Sequence, residues 1–142
     1  MEIQSGAQFA RLVLAAFDAM VDKVRAELEA AGHPGLTVAS EFAMQAIDHG
    51  ADSAAALARA VGVSRQAAAK TITSLEALGY IERRSDAEDG RRKRLAVTER
   101  GRTAIDVGAA AFDAIYREWR ASEGADDAAT VVRGLRRLSE RG

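Results

Sequence analysis

Arg65, Gln66, Ala69, Lys70 and Thr73 recur at steps of one, three, one and three, and alternate with Ala68, Ile72, Leu75 and Leu78. In a helix those spacings put the two sets on opposite faces, one apolar and one small and polar. The polar set has the chemistry of base readout: Arg pairs bidentately with guanine, Gln with adenine, and a small methyl touches thymine. An ordinary solvated face carries more acid, whereas this one has none until Glu76, near the end of the stretch. The pattern predicts a helix from Arg65 to Leu78, stopped by Gly79 in a left-handed conformation.

A second group of charges follows at once. Arg91-Arg92-Lys93-Arg94 is a run of four cations just after Gly90, and Asp86, Glu88 and Asp89 precede it. Tyr80-Ile81 and Leu95-Ala96-Val97 read as two short strands, with Asp86 to Arg92 as the connection. A basic hairpin tip beside a reading helix can reach a neighbouring minor groove or its phosphates. The carboxylates are expected to organise the loop, with Asp89 pairing a nearby Arg, because no His or Cys lies close enough to complete a metal site.

These groups need a frame. Ser53 is expected to cap a short helix that ends at Leu57-Ala58. Gly62 supplies the positive φ of a tight turn, and Ser64 caps the next helix. Two helices around a turn, followed by a strand, a basic tip and a returning strand, make a winged helix-turn-helix. That arrangement puts one helix into a DNA groove.

The segment from Leu36 to Gly101 resembles the MarR family of bacterial ligand-responsive transcription regulators. The resemblance rests on Leu36-Thr37, Leu57-Ala58, Gly62-Val63-Ser64, Leu75-Glu76 and Gly79-Tyr80-Ile81 with Arg84. It ends in Asp86-x-x-Asp89-Gly90-Arg91-Arg92 and Val97-Thr98-x-x-Gly101. Ala87 stands where the family often has Pro, and Val97 where it often has Leu. The resemblance implies a homodimer on an inverted-repeat operator, with an effector bound between the dimer arm and the reading head. Phe17, Met20, His33, Phe42, Phe112 and Tyr116, with Trp119, are the candidates to line that pocket, although each also suits plain core packing.

The 142 residues fit one domain with an oligomerisation arm, 48% apolar but only 5% aromatic. Abundant Ala points to closely packed helices. There are no cysteines, hence no disulfide, thiolate metal site or redox-sensing thiol. No leader pattern and no apolar run of about 20 residues is present, so a cytoplasmic protein is expected. The net charge of −1 hides an asymmetry: from Ser64 to Arg102 ten cations meet six anions, leaving −5 for the rest. Phosphates can be neutralised locally while acidic arms discourage indiscriminate binding.

The flanks read as helices in need of a partner. From about Gly6 to Ala31, Phe9, Leu12, Val13, Ala16, Phe17, Met20, Val21, Val24 and Leu28 make a broad apolar face, ended by Gly32-His33-Pro34-Gly35. Thr37 to Asp48 is a second helix with Phe42, Ala43, Ala46 and Ile47 inward. After Thr98, a helix to about Ala121 carries a seam of Ile105, Ala109, Phe112, Tyr116 and Trp119. Asp126 is expected to cap a last helix with Val131, Val132, Leu135 and Leu138 on one face. A second copy is the simplest partner for the terminal helices. The fold class is therefore mainly α with a small β-hairpin wing: residues 1–35 the N-terminal helix of a dimerisation arm, 36–101 the DNA-binding winged helix-turn-helix, 102–142 the C-terminal dimerisation helices.

The candidate DNA-contacting residues are Ser53, Ser64, Arg65, Gln66, Ala69, Lys70, Thr73, Asp89, Arg91 and Arg92. The expected protein is a homodimeric, ligand-responsive regulator of double-stranded DNA, most often a repressor, with no cofactor, metal or membrane. Two readings compete: a DNA binder without an effector, and a winged-helix protein-interaction module. An enzyme finds no nucleophile–base pair, no phosphate loop and no metal cluster to rest on.

Overall fold

The computed structural model of the chain describes residues 2–85, 88, 90 and 93–141. The elements are α1 (Gly6–Ala30), α2 (Val38–Asp48), α3 (Ala54–Val61), α4 (Arg65–Ala77), β1 (Ile81–Ser85), β2 (Lys93–Val97), α5 (Glu99–Glu123) and α6 (Ala125–Ser139). Five helices begin on the same local device. Ser5, Thr37, Ser53, Ser64 and Thr98 each accept a hydrogen bond from the backbone N–H three residues on. Each such cap satisfies a donor that the first turn leaves unpaired, which contributes about 1 kcal/mol. α6 departs from expectation: Gly124 precedes it without a side-chain cap, and Asp126 sits inside the first turn. There its charge still suits the positive end of the helix dipole.

The core joins the C-terminal half of α1 and the first half of α5 to the middle of the chain. Val24 and Leu28 of α1 pack with Met44 and Ile47 of α2, Leu57 of α3, Ile72 and Leu75 of α4, and Tyr80, Ile81, Leu95 and Val97 at the hairpin. α5 enters this core through its smallest residues. Gly101, Ala104, Gly108 and Ala111 are its buried stripe, whereas Ile105 and Phe112 of the expected seam are half-buried and Tyr116 is exposed. Small side chains let α5 lie close against α1 and α2, so the larger ones are rotated off that contact.

Two inward assignments are corrected. Phe42 is 42% exposed and Leu78 is 45% exposed. α2 instead turns Val38, Glu41, Ala43, Met44 and Ile47 inward, which leaves Phe42 at the edge against Phe112. α4 ends at Ala77, so Leu78 is the C-cap and no longer follows the helical stripe. Gly79 then takes φ +81°, the left-handed stop anticipated from the sequence.

Candidate nucleic-acid interface

The helix-turn-helix is closed by its own backbone. The N–H groups of Gly62 and Val63 both donate to the Ala58 carbonyl, at 3.0 and 3.1 Å, with Gly62 at φ +73°. Ser53 and Ser64 are consumed as caps, their hydroxyls accepting from Ala56 and Ala67 at 3.1 Å each. α4 buries Ala68, Ile72 and Leu75, and the opposite face leaves Arg65, Gln66, Ala69, Lys70 and Thr73 exposed together. The five residues picked out by spacing are thus one surface. Among the described residues, no ion pair holds Arg65 or Lys70. Thr73 donates its hydroxyl hydrogen to the Ala69 carbonyl at 3.0 Å, so what it offers outward is a methyl group and an acceptor lone pair.

The hairpin is longer than expected, with Tyr80 outside it. β1 and β2 pair antiparallel from Ile81↔Val97 to Ser85↔Lys93. Lys93 and Arg94 therefore belong to the returning strand and not to the tip, a correction to the four-cation run. The register sets Arg84 directly opposite Arg94. Like charges across a ladder repel, and each has an acid to offset it: Glu82 lies 2.6 Å from Arg84, and Asp52 lies 3.5 Å from Arg94. The Asp52 carbonyl also accepts from the Leu95 N–H at 3.1 Å, which fastens the returning strand to the turn before α3. Arg83 is held by Glu76 at the end of α4, at 3.2 Å. Of the expected tip contacts, Asp89, Arg91 and Arg92 lie outside the described residues.

Thr98 and Gly101 explain the Thr-x-x-Gly that closes the motif. The Thr98 hydroxyl donates to the Gly79 carbonyl at 2.7 Å and accepts from the Gly101 N–H at 3.1 Å. Its own N–H donates to the Tyr80 carbonyl at 3.0 Å. A Cβ on Gly101 would overlap that same carbonyl. The end of α4, the start of β1 and the start of α5 are locked at one point, which sets the hairpin relative to α4.

Behind that lock sits a polar cluster the sequence did not disclose. Tyr80 is fully buried, and Arg100 donates to its hydroxyl at 3.2 Å while stacking over its ring at 4.7 Å from the centroid. His33 is buried too, with Nδ1 3.0 Å from the same hydroxyl. Arg100 can only donate, so the buried Tyr80 O–H donates to His33 Nδ1, which makes His33 a neutral ring protonated at Nε2. Burial, and then the Arg100 charge, push the His33 pKa down. The ring proposed as a ligand contact is thus committed to a tyrosine. Of the other pocket candidates, Phe42 stacks on Phe112 with centroids 6.1 Å apart, and Tyr116 tilts against Trp119 at the same distance. Phe17 is exposed and Met20 half-buried on α1. A shallow hollow at the α5–α6 elbow is lined by Tyr116, Arg117, Arg120 and Gly124.

Among the described residues, no cluster of His, Cys, Asp and Glu is placed to hold a metal, and no helix is long and apolar enough to cross a membrane. A short antiparallel hairpin behind a capped helix-turn-helix, framed by long helices, defines the fold: a winged helix-turn-helix. Residues 35–92 match the model of the MarR family. No curated protein matches in sequence. In structure, the chain is similar to Streptococcus pneumoniae FabT in complex with DNA, at TM-score 0.80 and 17% identity over 96% of both chains. It is also similar to apo wild-type MarR from E. coli, at TM-score 0.69 and 19% identity over 96% of this chain and 98% of that one. A Mycobacterium tuberculosis MarR family protein in complex with p-aminosalicylic acid matches at TM-score 0.64 and 23% identity, covering 92% and 97%. At these identities the likeness is one of fold.

Proposed function

We propose that the chain is a sequence-specific double-stranded DNA-binding protein that acts as a ligand-responsive homodimeric repressor in the cytoplasm. The observation that carries the reading is the outer face of α4, where Arg65, Gln66, Ala69, Lys70 and Thr73 stand exposed beside a basic hairpin. Such a face suits the major groove, and Arg91 and Arg92 suit the phosphates or minor groove beside it. The relative FabT is seen with DNA, which supports the same role here.

The dimer reading rests on apolar surface. Phe9, Leu12, Val13 and Phe17 on α1, and Val131, Leu135 and Leu138 on α6, are all exposed in the single chain. Apolar faces of that extent mark an interaction surface, and the two terminal helices are the arms of the division into residues 1–35, 36–101 and 102–142. The effector reading rests on the Phe42–Phe112 stack at the arm–head junction, and on a relative that holds p-aminosalicylic acid.

Selection of binding sites from random duplexes by the purified protein tests the reading. The expected product is an inverted repeat with half-site centres roughly 34 Å apart, one helical turn. Recovery of no preferred sequence, with affinity following duplex length alone, would overturn it.

A further inference from the structure

Glu41 is the anomaly of the core. It is wholly buried in the first turn of α2, and neither carboxyl oxygen has a hydrogen-bond partner. It lies against Gly108 of α5, where a Cβ would overlap its Oε2. A glycine inside a helix is destabilising relative to alanine, and an unpaired buried carboxyl is costlier still. Two unfavourable features thus meet at one contact, and each makes room for the other. Along the same antiparallel contact, Asp48 pairs with Arg102 at one end and Phe42 stacks on Phe112 at the other. That contact joins the reading head to the helix of the arm.

We propose that Glu41 seated on Gly108 is a proton-operated lock between the reading head and the arm, closed when the carboxyl is protonated and released when it ionises. Burial displaces the Glu41 pKa upward from 4.5 to about 7, and no neighbouring charge contributes to the displacement. Charged groups on the elements packed against α2 lie at the surface, among them Lys23, Arg25 and Glu27 on α1, Arg59 on α3, Arg65 and Lys70 on α4, Lys93 and Arg94 on β2, and Arg102 and Asp106 on α5, while Arg100 is engaged by Tyr80. Glu76 on α4 is held by Arg83, and on α2 itself Asp48 is held by Arg102, while the His49 ring lies on the Gln45 carbonyl. None of them can neutralise an ionised Glu41 in its seat, so ionisation drives the side chain toward water and α2 away from α5.

The sign follows from the raised value. A seat that binds the proton more tightly than solvent does is fully stabilised below the ordinary carboxylate pKa and loses that stabilisation as pH rises through about 7. The ratio of closed to released protein should fall on the order of fiftyfold between pH 5 and 8. The effect on DNA binding rests on the function proposed above; the lock itself needs no DNA to be observed, so either can fail alone.

The full-length protein, labelled with ¹³C at glutamate carboxyls, is titrated by NMR alongside Glu41→Gln to assign the resonance. Amide hydrogen exchange in α2 and α5 is followed across the same pH range, corrected for intrinsic rates. The expected result is a Glu41 midpoint near neutrality, with α2–α5 opening that rises with pH in the wild type and stays flat in Glu41→Gln. Gly108→Ala fills the seat and should open the contact at every pH. A Glu41 midpoint in the ordinary carboxylate range would overturn the proposal. So would a midpoint near 7 that leaves α2–α5 exchange unchanged, because the carboxyl would then titrate without acting as a lock.

Discussion

Replacing Gly101 by Ala tests the joint that sets the hairpin against α4. By helix propensity alone the change should help, by up to about 1 kcal/mol. The structure reverses the sign. The new methyl would overlap the Tyr80 carbonyl and stand 2.7 Å from Val97 Cγ1. The blocking atom is backbone, held by the Thr98 N–H at 3.0 Å, so it cannot swing aside as a side-chain tip would. Overpacking of this kind costs about 1–3 kcal/mol. Relief by moving α5 would also weaken the Thr98 cap, for about 1 kcal/mol more. Less the propensity gain, the net loss should be about 2 kcal/mol. Urea unfolding at fixed protomer concentration measures it, as a lower midpoint at unchanged slope. An unchanged or raised midpoint would refute the close approach of α5 to Tyr80, and with it the account of how the hairpin is positioned.

Further outcomes are expected at other residues. Gln66→Ala should cost about 1–3 kcal/mol on the preferred duplex and relax preference at one base pair, read by titration against single-site variants. Arg92→Ala should weaken binding to most sequences and reduce the salt slope by about one, measured from affinities at several salt concentrations. Tyr80→Phe removes the hydroxyl shared by His33 and Arg100 and should destabilise by about 1–3 kcal/mol in chemical denaturation. The lowered His33 pKa adds a pH signature to that region: its contribution is present above about 6.5 and is lost as pH falls below it, a loss that His33→Gln should remove. Leu135→Glu places a charge on the exposed apolar face of α6, and sedimentation at micromolar concentration should turn a dimer into a monomer.

What the sequence determined by itself was whatever acts over a few residues. Ser53, Ser64 and Thr98 as caps, Gly62 and Gly79 as left-handed stops, and the two faces of α4 were all legible, because a cap bond or a helical repeat spans three or four positions. The tertiary structure decided which faces meet, and that depends on residues far apart in the chain. The seam of α5 was read from its large residues, yet the contact runs through Gly101, Ala104, Gly108 and Ala111. A hydrophobicity pattern passes over glycine, although glycine is what permits the closest approach. Leu78 keeps the spacing of a buried stripe but lies one residue beyond the helix that would have turned it inward. Lys93 and Arg94 read as tip charges until strand pairing drew them into β2. His33 acquires its partner from Tyr80, 47 positions away. Glu41 gives no local sign of burial at all: a carboxylate in an amphipathic helix is expected in water, and only the packing of α5 across α2 takes it out.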